Sequence, residues 1–223
     1  MPLSRRSSRS PRRPRTGRPP VLSTAQPRDQ AQPLAYQLKV TLTGSKSPIW
    51  RRFSVPGEIT LDRLHDVLQI VMGWQDKHLH RFEIDGKAYS EKPEEEFEGQ
   101  EEGGCRLGAL INTRMTFSYI YDYGDDWHHT VVVEKISPVP EKHMAVVVCL
   151  SGKNHCPPED VGGLEGYEEF LEALDDPEHE MHEQYRDWLG AAFDPKAFDV
   201  DAVNLELARY ARWSRPRKIW DDV

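Results

Sequence analysis

Residues 119–136, Y-I-Y-D-Y-G-D-D-W-H-H-T-V-V-V-E-K-I, carry the most informative structural pattern of this chain. Apolar residues alternate with polar ones before and after Gly124, which is the pattern of two half-buried β-strands. Glycine and aspartate favour tight turns because they accept backbone conformations that most residues avoid. The stretch therefore predicts a β-hairpin whose aromatic face enters the core and whose polar bend lies at 121–129.

The parity of this pattern predicts how the two strands pair. A register that places Tyr119 or Tyr121 opposite His129 keeps both apolar faces together, whereas a slip of one residue would bury the polar face. We therefore expect His129 to point inward with Trp127. The opposite face or the bend should hold the remaining polar residues, Asp122, Asp126 and His128.

The rest of the chain predicts a sheet that is followed by helices. Apolar runs indicate strands at 36–43, 49–55, 79–84 and 145–150, and the last run is typical of a strand buried on both faces. Helical spacing indicates an amphipathic helix at 60–74, capped by Thr60 and Gly73, and further helices at 166–174, 177–189 and 200–212. We predict an α+β fold: a mixed, mainly antiparallel sheet with one amphipathic helix on a face and a helical C-terminal third. The acidic run at 91–102 and the pair His179 and His182 are predicted to be solvated surface.

Charge divides the chain into a basic arm and an acidic body. Residues 1–33 contain eight Arg and one Asp, a charge of +7, and the whole chain carries −8, so the remaining 190 residues carry −15. We expect 1–33 to be a disordered Arg-, Pro- and Ser-rich arm, 34–210 to form the domain and 211–223 to be a tail. The arm has two interpretations, a nonspecific contact with nucleic-acid phosphates or an unstructured extension. The body is too acidic for general nucleic-acid binding.

Composition excludes several classes of protein. No apolar run approaches the roughly 18 residues that a membrane-spanning helix needs, and the start of the chain lacks the apolar segment of a signal peptide. Three cysteines are an odd number, which argues against a secreted disulfide framework. We expect a cytoplasmic protein that has no membrane partner.

The bend and the loop at 156–163 contain the candidate site. If the loop folds over the bend, their carboxylates converge near an inward histidine, which suits Mg²⁺-dependent phosphoryl chemistry or general acid–base work. Alternatively, the aspartates satisfy the turn backbone and cap the following helix, and the inward aromatic residue and histidine belong to the core. The binding candidates are Asp122, Asp125, Trp127, His129, Glu159 and Asp160.

Cysteine and histidine suggest a second, separate metal hypothesis. Cys149 and Cys156 are close in sequence, with His155 beside the second. His129, His78 and His80 could approach them from neighbouring strands. Thiolate and imidazole are the ligands that Zn²⁺ prefers. The alternative is that Cys149 is a buried thiol at a strand end and that Cys156 fixes the loop.

Six stretches of the chain resemble one known family. They are P-I-W-R-R-F at 48–53, G-W-Q-D-K-H-L-H-R-F at 73–82, Y-D-Y-G-D-D-W-H-H at 121–129, C-P-P-E-D-V-G-G at 156–163, G-Y-E-E-F-L-E-A-L at 166–174 and F-D-P-K-A-F-D at 193–199. Together they resemble the plasmid pRiA4b ORF-3-like family, whose members are often labelled TnpR-like passengers of IS1096-type elements. The family more often has Phe at Tyr123 and Glu at His128. The resemblance implies an α+β domain and a link with plasmids and mobile elements, and it implies no activity.

Two functional hypotheses follow. The first is a binding or adaptor module that recognises an unknown protein or nucleic acid through the 121–129 bend and the 156–163 loop. The second is a metal-dependent hydrolase or nuclease whose acidic and histidine residues lie at the same place and hold Zn²⁺ or Mg²⁺.

Overall fold

The computed structural model describes residues 32–93, 99–139, 146–189 and 193–213. The chain divides into two units, Met1–Ala31 and Gln32–Val223. The first unit, which holds nearly all of the predicted basic arm, lies outside the described residues, as does most of the predicted tail.

One eight-stranded sheet forms the centre of the second unit. Its strands, in chain order, are β1 Leu34–Leu42, β2 Trp50–Pro56, β3 His80–Ile84, β4 Lys87–Ser90, β5 Gln100–Glu101, β6 Thr116–Tyr121, β7 Trp127–Pro138 and β8 Val148–Lys153. The strands lie side by side in the order β5-β4-β3-β6-β7-β1-β2-β8. Neighbours are antiparallel except β4 and β5, which are parallel, so the predicted mixed, mainly antiparallel sheet is confirmed.

Helices pack on the sheet and dominate the last third of the chain. The described helices are α1 Leu61–Met72, α2 Leu107–Leu110, α3 Gly163–Asp175, α4 His182–Leu189 and α5 Val200–Trp213. Gly73 ends α1 in the left-handed conformation at φ 101°, and its N–H bonds to Gln69 O. Thr60 occupies the N-cap position, but its side chain makes no capping hydrogen bond. None of the helices in the described part of the chain is long and apolar enough to cross a membrane.

The predicted hairpin is confirmed as β6 and β7. Tyr119 pairs with His129 and Tyr121 pairs with Trp127, which is the predicted parity. The bend differs in detail, because the left-handed residues are Asp122 and Asp126, at φ 57° and 55°. Asp122 Oδ1 accepts hydrogen bonds from the Gly124 and Asp125 N–H groups at 2.9 and 3.3 Å. Aspartate tolerates this conformation because its short side chain bonds to nearby backbone, so the turn does not depend on Gly124 for it.

The prediction that the strand near 145–150 is buried on both faces is wrong. The strand is β8, and among the described residues it lies at the edge of the sheet and pairs with β2 alone. Cys149 is buried, whereas Val146 and Leu150 are 51% and 45% exposed. A continuous apolar run does not report whether the second face of a strand is covered.

Two residues predicted to be solvated are buried. His182 begins α4, five residues later than the helix start predicted at 177, and its Nδ1 lies 2.7 Å from Ala173 O of α3. Glu102 follows β5 and contacts His80 with 3.0 Å between Glu102 Oε2 and His80 Nε2. The prediction failed at these two residues because a charged neighbourhood in sequence does not reveal a partner from another element.

Candidate functional site

The hairpin bend and the 156–163 loop are in direct contact. Asp125 Oδ2 accepts a hydrogen bond from the Gly162 N–H at 3.1 Å. Gly163 has φ 69°, and a Cβ there would lie only 2.7 Å from Asp125 O. Glycine is therefore required at 163, both for its conformation and for the close approach of the two backbones.

A histidine from a third segment lies between them. His78 belongs to the connection between α1 and β3. Its Nε2 lies 2.9 Å from Asp160 Oδ1, 3.5 Å from Asp122 Oδ2 and 3.8 Å from Glu159 Oε2. This Nε2 is shielded from solvent, yet none of the three contacts has hydrogen-bond geometry. We call these four residues the His78 cluster.

Two of the three carboxylates of the His78 cluster, those of Asp122 and Glu159, are held by neighbouring groups. The turn N–H groups occupy Asp122 Oδ1, which leaves Oδ2 towards His78. Glu159 Oε1 accepts from the Gln75 N–H at 2.6 Å and from the Tyr121 hydroxyl at 3.1 Å. The Tyr121 hydroxyl in turn accepts from the Lys77 N–H at 3.0 Å. Burial raises the pKa of Tyr121, so its hydroxyl stays protonated as a donor to Glu159.

Three members of the cluster have the spacing of metal ligands. One donor atom each from His78, Asp122 and Asp160 lies within 4.8 Å of the others. Neighbouring ligands around a tetrahedral zinc ion are about 3.3–3.6 Å apart, given metal–ligand bonds of about 2.0–2.2 Å, and the contacts of His78 Nε2 are close to this range. One imidazole with carboxylates suits Zn²⁺ or Mn²⁺ better than Mg²⁺, which prefers oxygen ligands.

A second histidine–carboxylate group lines a neighbouring acidic cleft of about 630 Å³. His65 Nε2 lies 2.8 Å from Asp76 Oδ1, and Asp66 accepts a hydrogen bond from the Tyr210 hydroxyl at 2.6 Å. Donors of His65, Asp66 and Asp76 also lie within 4.8 Å of one another. The hydrogen bond from His65 lowers the pKa of Asp76, whereas burial raises the pKa of Asp66.

Two of the predicted binding residues lie in the core. His129 is 1% exposed, and its Nδ1 donates to Tyr119 O at 3.2 Å. Burial lowers the pKa of His129 to about 4, so the ring is neutral near pH 7. Trp127 is fully buried, with its ring centroid 5.4 Å from that of Trp74. These positions match the alternative interpretation of both residues as core.

The cysteines are not brought together with His129. Cys149 Sγ lies 3.7 Å from Arg52 O, and burial raises the pKa of the thiols of Cys149 and Cys156. Within the part of the chain that the structure describes, the metal-spaced groups of three donors are those around His65 and His78, and neither contains a cysteine.

The sequence reasoning missed the central role of His78. It placed Asp122, Asp125, Glu159 and Asp160 near one another, and the structure brings these four into one region. The sequence pattern suggests His78 only as a partner for the thiols of Cys149 and Cys156. The signal was present in the stretch G-W-Q-D-K-H-L-H at 73–80, which is dense in side chains that bind metals.

Comparisons with known proteins show the family of this chain. "Uncharacterized protein y4hQ" of Sinorhizobium fredii is 37% identical over 185 residues, which cover 80% of this chain and 94% of that protein. The crystal structure of a protein of unknown function, MM3350 from Methanosarcina mazei Go1, has 37% sequence identity and a TM-score of 0.69, and the match covers 77% of this chain and 98% of that chain. The family model described as plasmid pRiA4b ORF-3-like protein matches residues 34–202. The chain therefore belongs to the plasmid pRiA4b ORF-3-like family.

Proposed function

We propose that this protein is a metal-dependent binding module. Its recognition surface is the 121–129 bend together with the 156–163 loop, and a divalent transition-metal ion held by His78, Asp122 and Asp160 joins the two segments. The observation that carries the proposal is the position of His78 Nε2, within 4 Å of carboxylates from both the bend and the loop.

The charge of the His78 cluster explains why a bound cation would hold the bend and the loop together. Three carboxylates surround one imidazole, so the cluster carries net negative charge whether or not His78 is protonated. Like charges at such distances repel, and a bound dication removes that repulsion. A partner protein is favoured over nucleic acid as the ligand of this surface, because residues 34–223 carry −15. The nucleic-acid contact of the 1–33 arm stays a separate prediction.

The test is calorimetric titration of chelator-treated protein with Zn²⁺ and with Mn²⁺. The wild type should bind about one ion per chain, and Asp160→Asn and His78→Gln should each weaken binding at least tenfold, because each loses a ligand. The matched control is Asp126→Asn, which removes the carboxylate from an exposed contact of 3.0 Å with His128. Unchanged affinity in Asp160→Asn would overturn the proposal.

A metal-dependent hydrolase is the second candidate. A cavity of about 490 Å³ lined by His78, Asp122 and Tyr123 opens beside the cluster, so a substrate could reach the ion. Glu159, whose Oε2 lies 3.8 Å from His78 Nε2, could then act as a general base. Turnover of bis(p-nitrophenyl) phosphate with Mn²⁺ that disappears in His78→Gln would favour this candidate. Metal binding without turnover of this substrate would favour the binding module over the hydrolase.

A further inference from the structure

A groove of about 450 Å³ lies between the 156–163 loop and α4. Asp160 and Val161 line it from the loop, and Met181, Tyr185, Asp187 and Trp188 line it from the segment that includes α4. The groove thus shares Asp160 with the His78 cluster. Asp160 contacts His78 through Oδ1, and its side chain is 57% exposed. It can therefore belong to the His78 cluster and also contact a ligand in the groove.

An exposed tryptophan forms one wall of the groove. Trp188 is 46% exposed, the highest value among the tryptophans whose side chains are described. Its ring packs with a T-shaped geometry against Phe170, at 6.2 Å between centroids, and tilts against Tyr185 at 6.3 Å. These contacts fix the ring while leaving nearly half of its surface open. A fixed, open indole is the preferred platform for a cationic group.

The charges of the groove select the ligand. Asp160 and Asp187 are both exposed at it, and none of the groove's lining residues is Lys or Arg. Arg186 of α4 contacts Glu183 instead, at 3.8 Å. A ligand that fits must therefore present positive charge to the carboxylates and a flat apolar face to the indole. A guanidinium group does both, whereas an ammonium group is more strongly hydrated and not planar.

We propose that this groove binds an arginine side chain from a basic segment of a partner protein. The guanidinium stacks on Trp188 and donates hydrogen bonds to Asp160 and Asp187, with Val161 and Met181 against the aliphatic part of the side chain. The inference rests on the proposed binding function and names the chemistry of its partner.

Fluorescence anisotropy of labelled peptides on the full chain tests the inference. The probes are the octapeptides (Gly-Arg)₄, (Gly-Lys)₄ and (Gly-Gln)₄, each measured with and without saturating Mn²⁺. The arginine peptide should bind tightest, and Trp188→Ala should weaken it about tenfold. Trp188→Phe should keep most of the affinity because it keeps an aromatic face. This variant is the control that separates loss of the aromatic contact from a general loss of folding.

A charge-matched pair separates the groove from general attraction to an acidic protein. Asp187→Asn should weaken the arginine peptide about fivefold, because a charge-assisted hydrogen bond is lost. Asp85→Asn removes one exposed carboxylate from the β3–β4 turn, where asparagine tolerates the φ of 50°, and should change affinity less than twofold. If the two variants lost the same affinity for the arginine peptide, the proposal that the peptide binds in the groove would be overturned.

Failure of this inference can be told from failure of the proposed function. Trp188→Ala should leave Mn²⁺ affinity unchanged, because Trp188 is not a member of the His78 cluster. If the arginine peptide bound in a way that depends on Trp188 but no metal bound, the result would support arginine binding in the groove. It would overturn the proposed metal site at the His78 cluster. Equal affinity for the lysine peptide, or binding of oligo(dT) with the same dependence on Trp188, would overturn the arginine assignment.

Discussion

Tyr121 of the hairpin donates its hydroxyl hydrogen to Glu159 of the 156–163 loop, with 3.1 Å between Oη and Oε1. The same hydroxyl accepts the Lys77 N–H at 3.0 Å. One aromatic side chain thus joins the three segments that build the His78 cluster. Its ring is fully buried, so the hairpin's core packing fixes the position of a carboxylate 38 residues away in sequence.

Tyr121→Phe should loosen this junction. The change removes a donor from Glu159 and leaves the Lys77 N–H without its acceptor, so the free energy of unfolding should fall by about 1–3 kcal/mol. Urea denaturation measures this loss. Tyr210→Phe is the control, since it removes a comparable hydroxyl–carboxylate bond to Asp66. Both variants should lose stability, but only Tyr121→Phe should weaken metal binding at the His78 cluster; equal metal affinities would contradict the link.

His129 should make the protein sensitive to acid. Its pKa is about 4 in the folded protein against an ordinary 6.5, because burial disfavours the charged ring. Between these two pH values the unfolded chain binds a proton at His129 that the folded protein does not bind. The contribution of His129 to the free energy of unfolding therefore keeps its full value above pH 6.5 and decreases as the pH falls towards 4. The loss is about 3 kcal/mol. His129→Gln should flatten the pH profile of unfolding over this window, whereas His128→Gln, at an exposed position, should leave it steep.

Gly163→Ala should separate the loop from the bend. The added Cβ would meet Asp125 O at 2.7 Å and would sit at φ 69°, so we expect a loss of about 2–4 kcal/mol. Gly86→Ala isolates the conformational part, because Gly86 has φ 72° and open space around its Cβ position. Gly86→Ala should cost about 1 kcal/mol and preserve metal affinity. If both variants cost the same, the close approach at Gly163 is not important.

Metal ions should stabilise the fold, and a chelator should reverse the effect. At a free concentration one hundred times Kd, a single bound ion raises the free energy of unfolding by about 2.7 kcal/mol. Thermal melts with Mn²⁺ and then EDTA measure the shift, which Asp160→Asn should abolish. His65→Gln disrupts the second histidine–carboxylate group and should preserve it. If His65→Gln abolished the shift and Asp160→Asn did not, the ion would bind in the acidic cleft and not at the His78 cluster.

Local sequence pattern was sufficient for most of the strands and helices and for the parity of the hairpin, whereas the short strands β4 and β5 were not predicted. Period-two alternation leaves only one parity in which Tyr119 and His129 both face the core, and the structure has that pairing. The helical stripe of 60–74 likewise predicted α1, and the glycine after it ends the helix. The same kind of pattern failed for the strand at 145–150, because exposure of Leu150 depends on what covers the edge of the sheet.

Residue patterns within single segments were enough to assign most strands and helices and the buried face of the hairpin. The place of His78 at the centre of the candidate site, by contrast, follows from tertiary contacts. Its connection between α1 and β3 has no periodicity to read, and its nearest carboxylate partner, Asp160, is 82 positions further along the chain. The meeting of these residues depends on contacts such as Gly163 against Asp125 and Tyr121 with Glu159, which join segments that are far apart in sequence. Local propensity acts over a few residues, whereas a site built from three loops is set by how the whole sheet positions its connections.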